Sequence, residues 1–170
     1  MDALARAEAL IRVIPDYPQP GVLFRDITPL LADAAALRAV VDAMIEPFAG
    51  RFDVVAGIEA RGFLLAGAIA TAAEVGLVPI RKAGKLPRPA ASVHYALEYG
   101  SATIEAHDDV APATRVLLVD DVLATGGTLA AAHDLMAQLG GVVVGTSVLI
   151  ELEALGGRAV VGDVHAVFTV

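Results

Sequence analysis

Residues 116–128 read Val116-Leu117-Leu118-Val119-Asp120-Asp121-Val122-Leu123-Ala124-Thr125-Gly126-Gly127-Thr128. An apolar strand ends in two adjacent acids. A Thr-Gly-Gly-Thr turn then opens a helical pattern that continues to residue 139. Gly126 and Gly127 permit backbone angles and close approaches that a side chain forbids. The amides of residues 125–128 can converge on one phosphate at the helix N-terminus, and the Thr125 and Thr128 hydroxyls add donors. Asp120 and Asp121 repel a phosphate, so they are expected to face hydroxyls or a cation. A ribose 5-phosphate suits this set, with phosphate in the turn and the sugar diol against the carboxylates. The competing reading of the turn alone is a plain strand-to-helix connection with a threonine cap; the strand and acid pair in front of it argue for the phosphate.

Outward from this stretch, short apolar runs alternate with helical patterns. Runs are read at 53–58, 77–80, 115–120, 142–150 and 164–170, and helices at 62–75 and 127–139. Apolar strands without polar alternation, separated by helices, predict an α/β fold with a mostly parallel central sheet covered on both faces. Residues 82–109 break the rhythm. A Gly/Pro-rich loop leads into two alternating pieces, 92–99 and 102–107, around Gly100-Ser101, which predicts a hairpin standing off the main sheet. Upstream, apolar spacing predicts a helix over 3–14, stopped by Pro15. A loop follows over 16–21, and Asp33 caps a helix running to residue 48. Loops at the carboxyl ends of the strands are where chemistry is expected.

Composition bounds the rest. The chain has 170 residues, about one domain, with 56% hydrophobic and 19% charged residues. Such an apolar content excludes intrinsic disorder, and the absence of cysteine excludes disulfide scaffolds and Cys₄ zinc sites. Twelve basic against twenty acidic residues give a net charge of −8, which argues against general nucleic-acid binding. The longest apolar stretch, 63–73, is shorter than the roughly 20 residues of a membrane span. Charges at Asp2, Arg6, Glu8 and Arg12 interrupt any signal-peptide core. A cytoplasmic protein that binds neither nucleic acid nor membrane is the expectation. Gly57 and Gly62 have Walker-A spacing, but Phe63 stands where lysine is required, and no G-x-G-x-x-G occurs. The four histidines show no metal-ligand spacing.

Several other segments have a physical sense of their own. Leu23-Phe24-Arg25 puts apolar and aromatic side chains in a Pro/Gly-bounded loop, a suitable wall for a flat base. Arg61 sits between a strand end and a helix start, where a guanidinium and loop amides suit a pyrophosphate. Arg81, Lys82, Lys85 and Arg88 place four cations within eight residues of an acidic chain, enough to attract a polyanion.

The strand, paired acids and Ala124-Thr125-Gly126-Gly127-Thr128 resemble the phosphoribosyl-pyrophosphate (PRPP) motif of type I phosphoribosyltransferases. Residues 16–29, 58–63, 80–87 and 95–100 resemble segments of the adenine-specific members, in the same order, over roughly residues 14–155. The resemblance implies a single phosphoribosyltransferase domain over 1–170, with a base-binding hood over about 1–32 and a flexible catalytic loop over about 82–109. It implies transfer of phosphoribosyl from PRPP to adenine, giving AMP and pyrophosphate. The implied sites are Ala124, Thr125, Gly126, Gly127 and Thr128 for the 5-phosphate, and Asp120 and Asp121 for the ribose. Glu59, Ala60, Arg61, Arg81, Lys82 and Lys85 are implied for the pyrophosphate, and Leu23, Phe24 and Arg25 for adenine. Glu98 and Tyr99 are the implied catalytic pair, with Glu98 handling the purine proton. Mg²⁺ is implied as cofactor, held mainly through the substrate with no direct protein ligand. A homodimer is implied, with Arg81 reaching the partner subunit's active site, and a non-proline cis bond at Ala60–Arg61. Ala60 stands where some members carry a hydroxyl, which removes one anion donor. Two alternatives are a PRPP-sensing regulator without catalysis, and the same chemistry on a 6-oxopurine.

Overall fold

The structure is a computed structural model that describes residues 2–97 and 100–170. The chain divides into two compact units, Met1–Ala43 and Met44–Val170. The first contains α1 (Ala3–Ala9), β1 (Arg12–Pro15), β2 (Leu23–Asp26), α2 (Thr28–Ala32) and most of α3 (Ala34–Ile45). The helix expected over 3–14 is therefore corrected. It stops at Ala9, and Arg12–Pro15 pairs antiparallel with Leu23–Asp26, Ile14 opposite Phe24. The apolar spacing suited a helix, but the β-branched Ile11, Val13 and Ile14 suit a pleated strand better, and the pairing decides it. The Asp33 cap is present: its Oδ1 accepts the amides of Ala35 and Ala36, each at 3.0 Å. Asp26 does the same for the start of α2, accepting the Thr28 amide and hydroxyl at 3.0 and 2.6 Å.

The second unit is built on β3 (Val54–Ile58), α4 (Arg61–Ala73), β4 (Gly76–Lys82), β5 (Ala91–Ala96), β6 (Ser101–Ala106), β7 (Arg115–Leu123), α5 (Gly127–Gln138), β8 (Val142–Glu151), α6 (Arg158–Val161) and β9 (His165–Thr169). Seven strands form one sheet in the order β5-β6-β4-β3-β7-β8-β9. β4, β3, β7, β8 and β9 run parallel, with Ala56 of β3 beside Val78 and Leu118. This is the mostly parallel sheet that the continuous apolar runs require. Ile58, Ile80, Leu118, Leu135, Met136 and Val148 are enclosed in its core. Each such side chain contributes about 1.5–3 kcal/mol on burial.

The hairpin expected to stand off the sheet is instead part of it. β4 continues past Ile80, and its last residues pair antiparallel with β6, Arg81 opposite Glu105 and Lys82 opposite Ile104. The physical reason lies in the alternation itself. Val93, Tyr95, Ile104 and Ala106 share one face, and that face must be covered. The tail after Leu155 completes the sheet as its edge strand β9.

From β3 the chain moves to one side for β4 and returns on the other for β7. Strand order therefore reverses between β3 and β7, and a crevice at the carboxyl ends of such a pair is the favoured ligand position. No described helix is long and apolar enough to cross a membrane.

Candidate active site

Both strands at the reversal end in charged residues. β3 is followed by Glu59, Ala60 and Arg61, and β7 carries Asp120 and Asp121 before the Thr-Gly-Gly-Thr turn. A cavity of about 410 Å³ lies here, lined by Glu59, Ala60, Arg61, Lys82, Asp120, Asp121 and Thr128, with Tyr95 and Leu97 from the hairpin. A smaller hollow of about 110 Å³ is formed by the turn itself, residues 122–129, and shares Asp120 and Thr128 with the first. A larger hollow of about 510 Å³ sits elsewhere, against Phe48, Arg51, His133 and His165. None of the sequence-predicted residues lines that one, so size does not choose the site.

At the β7 end, the turn is shaped by backbone. Gly126 has φ +87°, and α5 starts at the next residue. Asp120 and Asp121 are buried, at 8% and 7% exposure. The Asp121 amide donates to Asp120 Oδ1 at 2.8 Å. Burial pushes the Asp120 carboxyl well above the usual carboxylate range, and the neighbouring Asp121 carboxylate adds to the push. Arg61 Nε stands 2.7 Å from Asp121 Oδ2. The acid pair thus faces a cation, as its chemistry requires. The arrangement depends on Gly62, because a Cβ there would lie 2.9 Å from Asp120 Oδ1.

At the β3 end, Glu59 collects the cations. Its side chain is only 8% exposed. It accepts from Arg81 Nε at 3.1 Å, the Lys82 amide at 2.9 Å and Lys85 Nζ at 2.5 Å. Desolvation pushes its carboxyl up, but the bonds from Lys85, the Lys82 amide and Arg81 outweigh this and hold it at about 2. Arg81 also stands 5.9 Å from the Phe63 ring centre. Glu59 is therefore a carboxylate hub for two of the predicted cations, Arg81 and Lys85, and for the backbone amide of a third basic residue, Lys82. The non-proline cis bond is Glu59–Ala60, one residue earlier than expected. The Ala60 carbonyl accepts the Phe63 amide at 3.2 Å in the first turn of α4, where helical geometry requires the Ala60–Arg61 bond to be trans.

The first unit holds Leu23, Phe24 and Arg25 on strand β2 rather than in the expected loop, because their backbone pairs with Arg12–Pro15. Leu23 is exposed, and Phe24 meets Tyr17 edge-on with ring centres 5.2 Å apart. Arg25 Nε is enclosed without a hydrogen-bond partner among the described residues. Glu98 and Tyr99 lie outside the described residues.

Similarity to known proteins agrees with this geometry. A family model for the phosphoribosyl transferase domain matches residues 27–164. The chain is 60% identical over 152 residues to an adenine phosphoribosyltransferase of Renibacterium salmoninarum, covering 89% of this chain and 84% of that one. It is 55% identical over 166 residues to that of Thermobifida fusca, covering 96% and 94%. The chain belongs to the adenine phosphoribosyltransferase family. The fold agrees as well. An adenine phosphoribosyltransferase structure from Rhodothermus marinus superposes with a TM-score of 0.93 at 46% identity, over 99% of this chain and 98% of that one. The Giardia lamblia enzyme complexed with 9-deazaadenine does so with 0.93 at 40% identity, over 100% and 99%.

Within this adenine phosphoribosyltransferase family member, Tyr95 has a place in the cavity that its membership of the 95–100 segment did not assign to it. Tyr95 lines the cavity, and its hydroxyl is 3.2 Å from Thr128 Oγ1. The signal was available: Tyr95 is in phase with Val93 on the inward face of β5.

Proposed function

We propose that this chain transfers the 5-phosphoribosyl group of PRPP to adenine, forming AMP and releasing pyrophosphate. The observation that supports it most is the meeting of a glycine-built helix N-terminus, a buried acid pair and a carboxylate-organised cation cluster at the sheet's reversal point.

The 5-phosphate binds residues Ala124, Thr125, Gly126, Gly127 and Thr128, where amides and hydroxyls donate to it. Asp120 and Asp121 bind the ribose hydroxyls. Asp120, biased towards its neutral form, can both give and take a hydrogen bond. Ala60 through its backbone, with Arg61, Lys82, Lys85 and Arg81, meets the pyrophosphate, while Glu59 orients the cations rather than touching the anion. The bond from ribose C1 to the pyrophosphate oxygen breaks, and its electron pair leaves with pyrophosphate. Adenine N9 supplies the pair for the new bond to C1 and loses its proton to Glu98, a role that rests on the family resemblance. Arg61 and the Glu59-held cations stabilise the departing charge. Leu23, Phe24 and Arg25 hold the base, within a hood over about 1–32 of a single domain.

With Asp120 biased towards its neutral form and Asp121 bonded to Arg61, the acid pair does not present two ionised carboxylates to Mg²⁺, an ion that readily keeps waters and substrate oxygens as its ligands. The ion would be carried mainly by PRPP, and when bound it neutralises charge on the leaving group. A cytoplasmic homodimer completes the reading; Arg81, expected from the resemblance to reach the partner subunit's site, is bonded to Glu59 of its own chain and serves its own site here.

The test is a base panel. With PRPP and Mg²⁺, the protein is offered adenine, hypoxanthine, guanine, xanthine, uracil or orotate singly, with nucleotide read by chromatography. AMP from adenine alone is the expected result. Turnover of a 6-oxopurine in its place, or PRPP binding without turnover of any base, overturns it.

A further inference from the structure

The segment between β8 and β9 has no part in the site as described, yet it packs on the turn that opens α5. A Cβ on Gly157 would lie 2.4 Å from the Ala124 carbonyl oxygen and 2.6 Å from Leu123 Cδ1. A Cβ on Gly126 would lie 2.6 Å from the Gly157 carbonyl oxygen and 2.9 Å from Val161 Cγ2. The two backbones therefore touch with no side chain between them. Gly157 has φ −57° and ψ −29°, angles that alanine adopts freely. Its need for glycine is one of space. The Gly157 carbonyl is itself held, accepting the amides of Val160 and Val161 at 3.0 and 3.1 Å.

An ion pair between a buried carboxylate and a partly exposed guanidinium fixes this segment. Glu151, at the end of β8, is 5% exposed. Arg158 bonds it through Nε at 2.8 and 3.0 Å and through one terminal nitrogen at 2.7 Å. The other terminal nitrogen donates to the Val164 carbonyl at 2.5 Å. One guanidinium thus ties together the end of β8, the start of α6 and the approach to β9. Only a planar fork can make these bonds at once. The strand beneath is joined to β7 at the same level, where the Leu152 amide donates to the Leu123 carbonyl at 2.9 Å.

We propose that Arg158 is a positioning residue: locked to Glu151, it presses the Gly157 backbone against Ala124 and Gly126 and so sets the shape of the turn that receives the sugar 5-phosphate. Arg158 touches no substrate. It acts through backbone contact, and a shift of the turn by a fraction of an ångström misaims several amides together. The inference rests on the proposed reading for the identity of the anion, but not for the mechanical coupling.

The test uses the full chain with Arg158→Met, Arg158→Lys and Gly157→Ala. Gly67→Ala serves as control, because a Cβ there meets open space. Three quantities are read: amide hydrogen exchange over residues 124–128 without ligand, the Kd of ribose 5-phosphate, and the Kd of pyrophosphate. The expected result is at least tenfold faster exchange over 124–128 in Arg158→Met and Gly157→Ala, with the amides of β3 unchanged. Ribose 5-phosphate binding weakens at least tenfold while pyrophosphate binding stays within twofold. Arg158→Lys restores only part of both, and the control changes neither. Unchanged exchange over 124–128 overturns the proposal, as does an equal weakening of both ligands in step with a lower Tm. If the wild-type chain turns over no base and binds no ribose 5-phosphate, the functional reading fails. The exchange measurement then still decides whether Arg158 shapes the turn.

Discussion

The two strand ends that meet in the cavity are charged in different ways. At the end of β7, the groups proposed to meet the anion are backbone amides of consecutive residues, 125–128, in a turn with a glycine at φ +87°. At the end of β3, the proposed groups are side chains gathered from separate segments, with Glu59 holding Arg81 and Lys85 from 22 and 26 residues away. The first kind of site is stiff and local. The second is adjustable, because long basic side chains can release a carboxylate and turn to a substrate. The difference implies that the β7 end holds the substrate through the reaction while the β3 end responds to the leaving group.

Substitutions can break this contrast, and the largest effect is expected in the backbone half. Gly126→Ala forces a Cβ into the Gly157 carbonyl at a positive φ. It should lower kcat/KM for PRPP by about 10³-fold, read by steady-state kinetics with circular dichroism confirming the fold. Arg61→Met removes the cation beside Asp121 and should lower kcat by about 10²-fold. Pre-steady-state measurement of pyrophosphate release distinguishes this from weaker binding.

Glu59→Gln sharpens the contrast, since it frees the cations without removing them. A drop of about tenfold in kcat/KM is expected. Its pH signature is specific. A carboxyl held at about 2 in the folded state, against an ordinary value of 4.5, stabilises the protein fully above that ordinary value. That stabilisation is lost as pH falls from about 4.5 towards about 2. Denaturant midpoints measured across that window should fall for the wild type and fall less for Glu59→Gln. Tyr95→Phe loses one hydrogen bond to Thr128, worth about 0.5–1.5 kcal/mol, and should change KM for PRPP by less than about tenfold. Asp53 and Arg115 pair at 2.6 Å at the opposite ends of β3 and β7. Asp53→Asn should lower Tm in a thermal melt and leave kcat/KM unchanged.

The same contrast explains what could be read from residues in order. The turn of 124–128 was legible because its chemistry is written in consecutive letters: strand, acids, glycines, hydroxyls. The parallel sheet was legible because runs such as Val116-Leu117-Leu118-Val119 tolerate no wet face. Arg61 facing Asp121 was anticipated only as a need for some cation. The Glu59 hub was hidden, because a pairing across 26 residues depends on β4 lying beside β3 and on the chain after β4 bringing Lys85 back to Glu59. Tyr95 was read only as part of the 95–100 segment and given no role, although its alternation phase marked it as inward. The helix over 3–14 failed because spacing alone could not weigh a helix against a strand whose partner begins at Leu23. The hairpin was misplaced because nothing local reveals that β4 extends to Lys82.

The most direct test of the division between the two strand ends is to measure ribose 5-phosphate and pyrophosphate affinities by calorimetry, separately, in the wild type, Gly126→Ala and Arg61→Met. A double dissociation is expected: Gly126→Ala loses ribose 5-phosphate and keeps pyrophosphate, and Arg61→Met does the reverse. Equal loss of both ligands in both variants would contradict it.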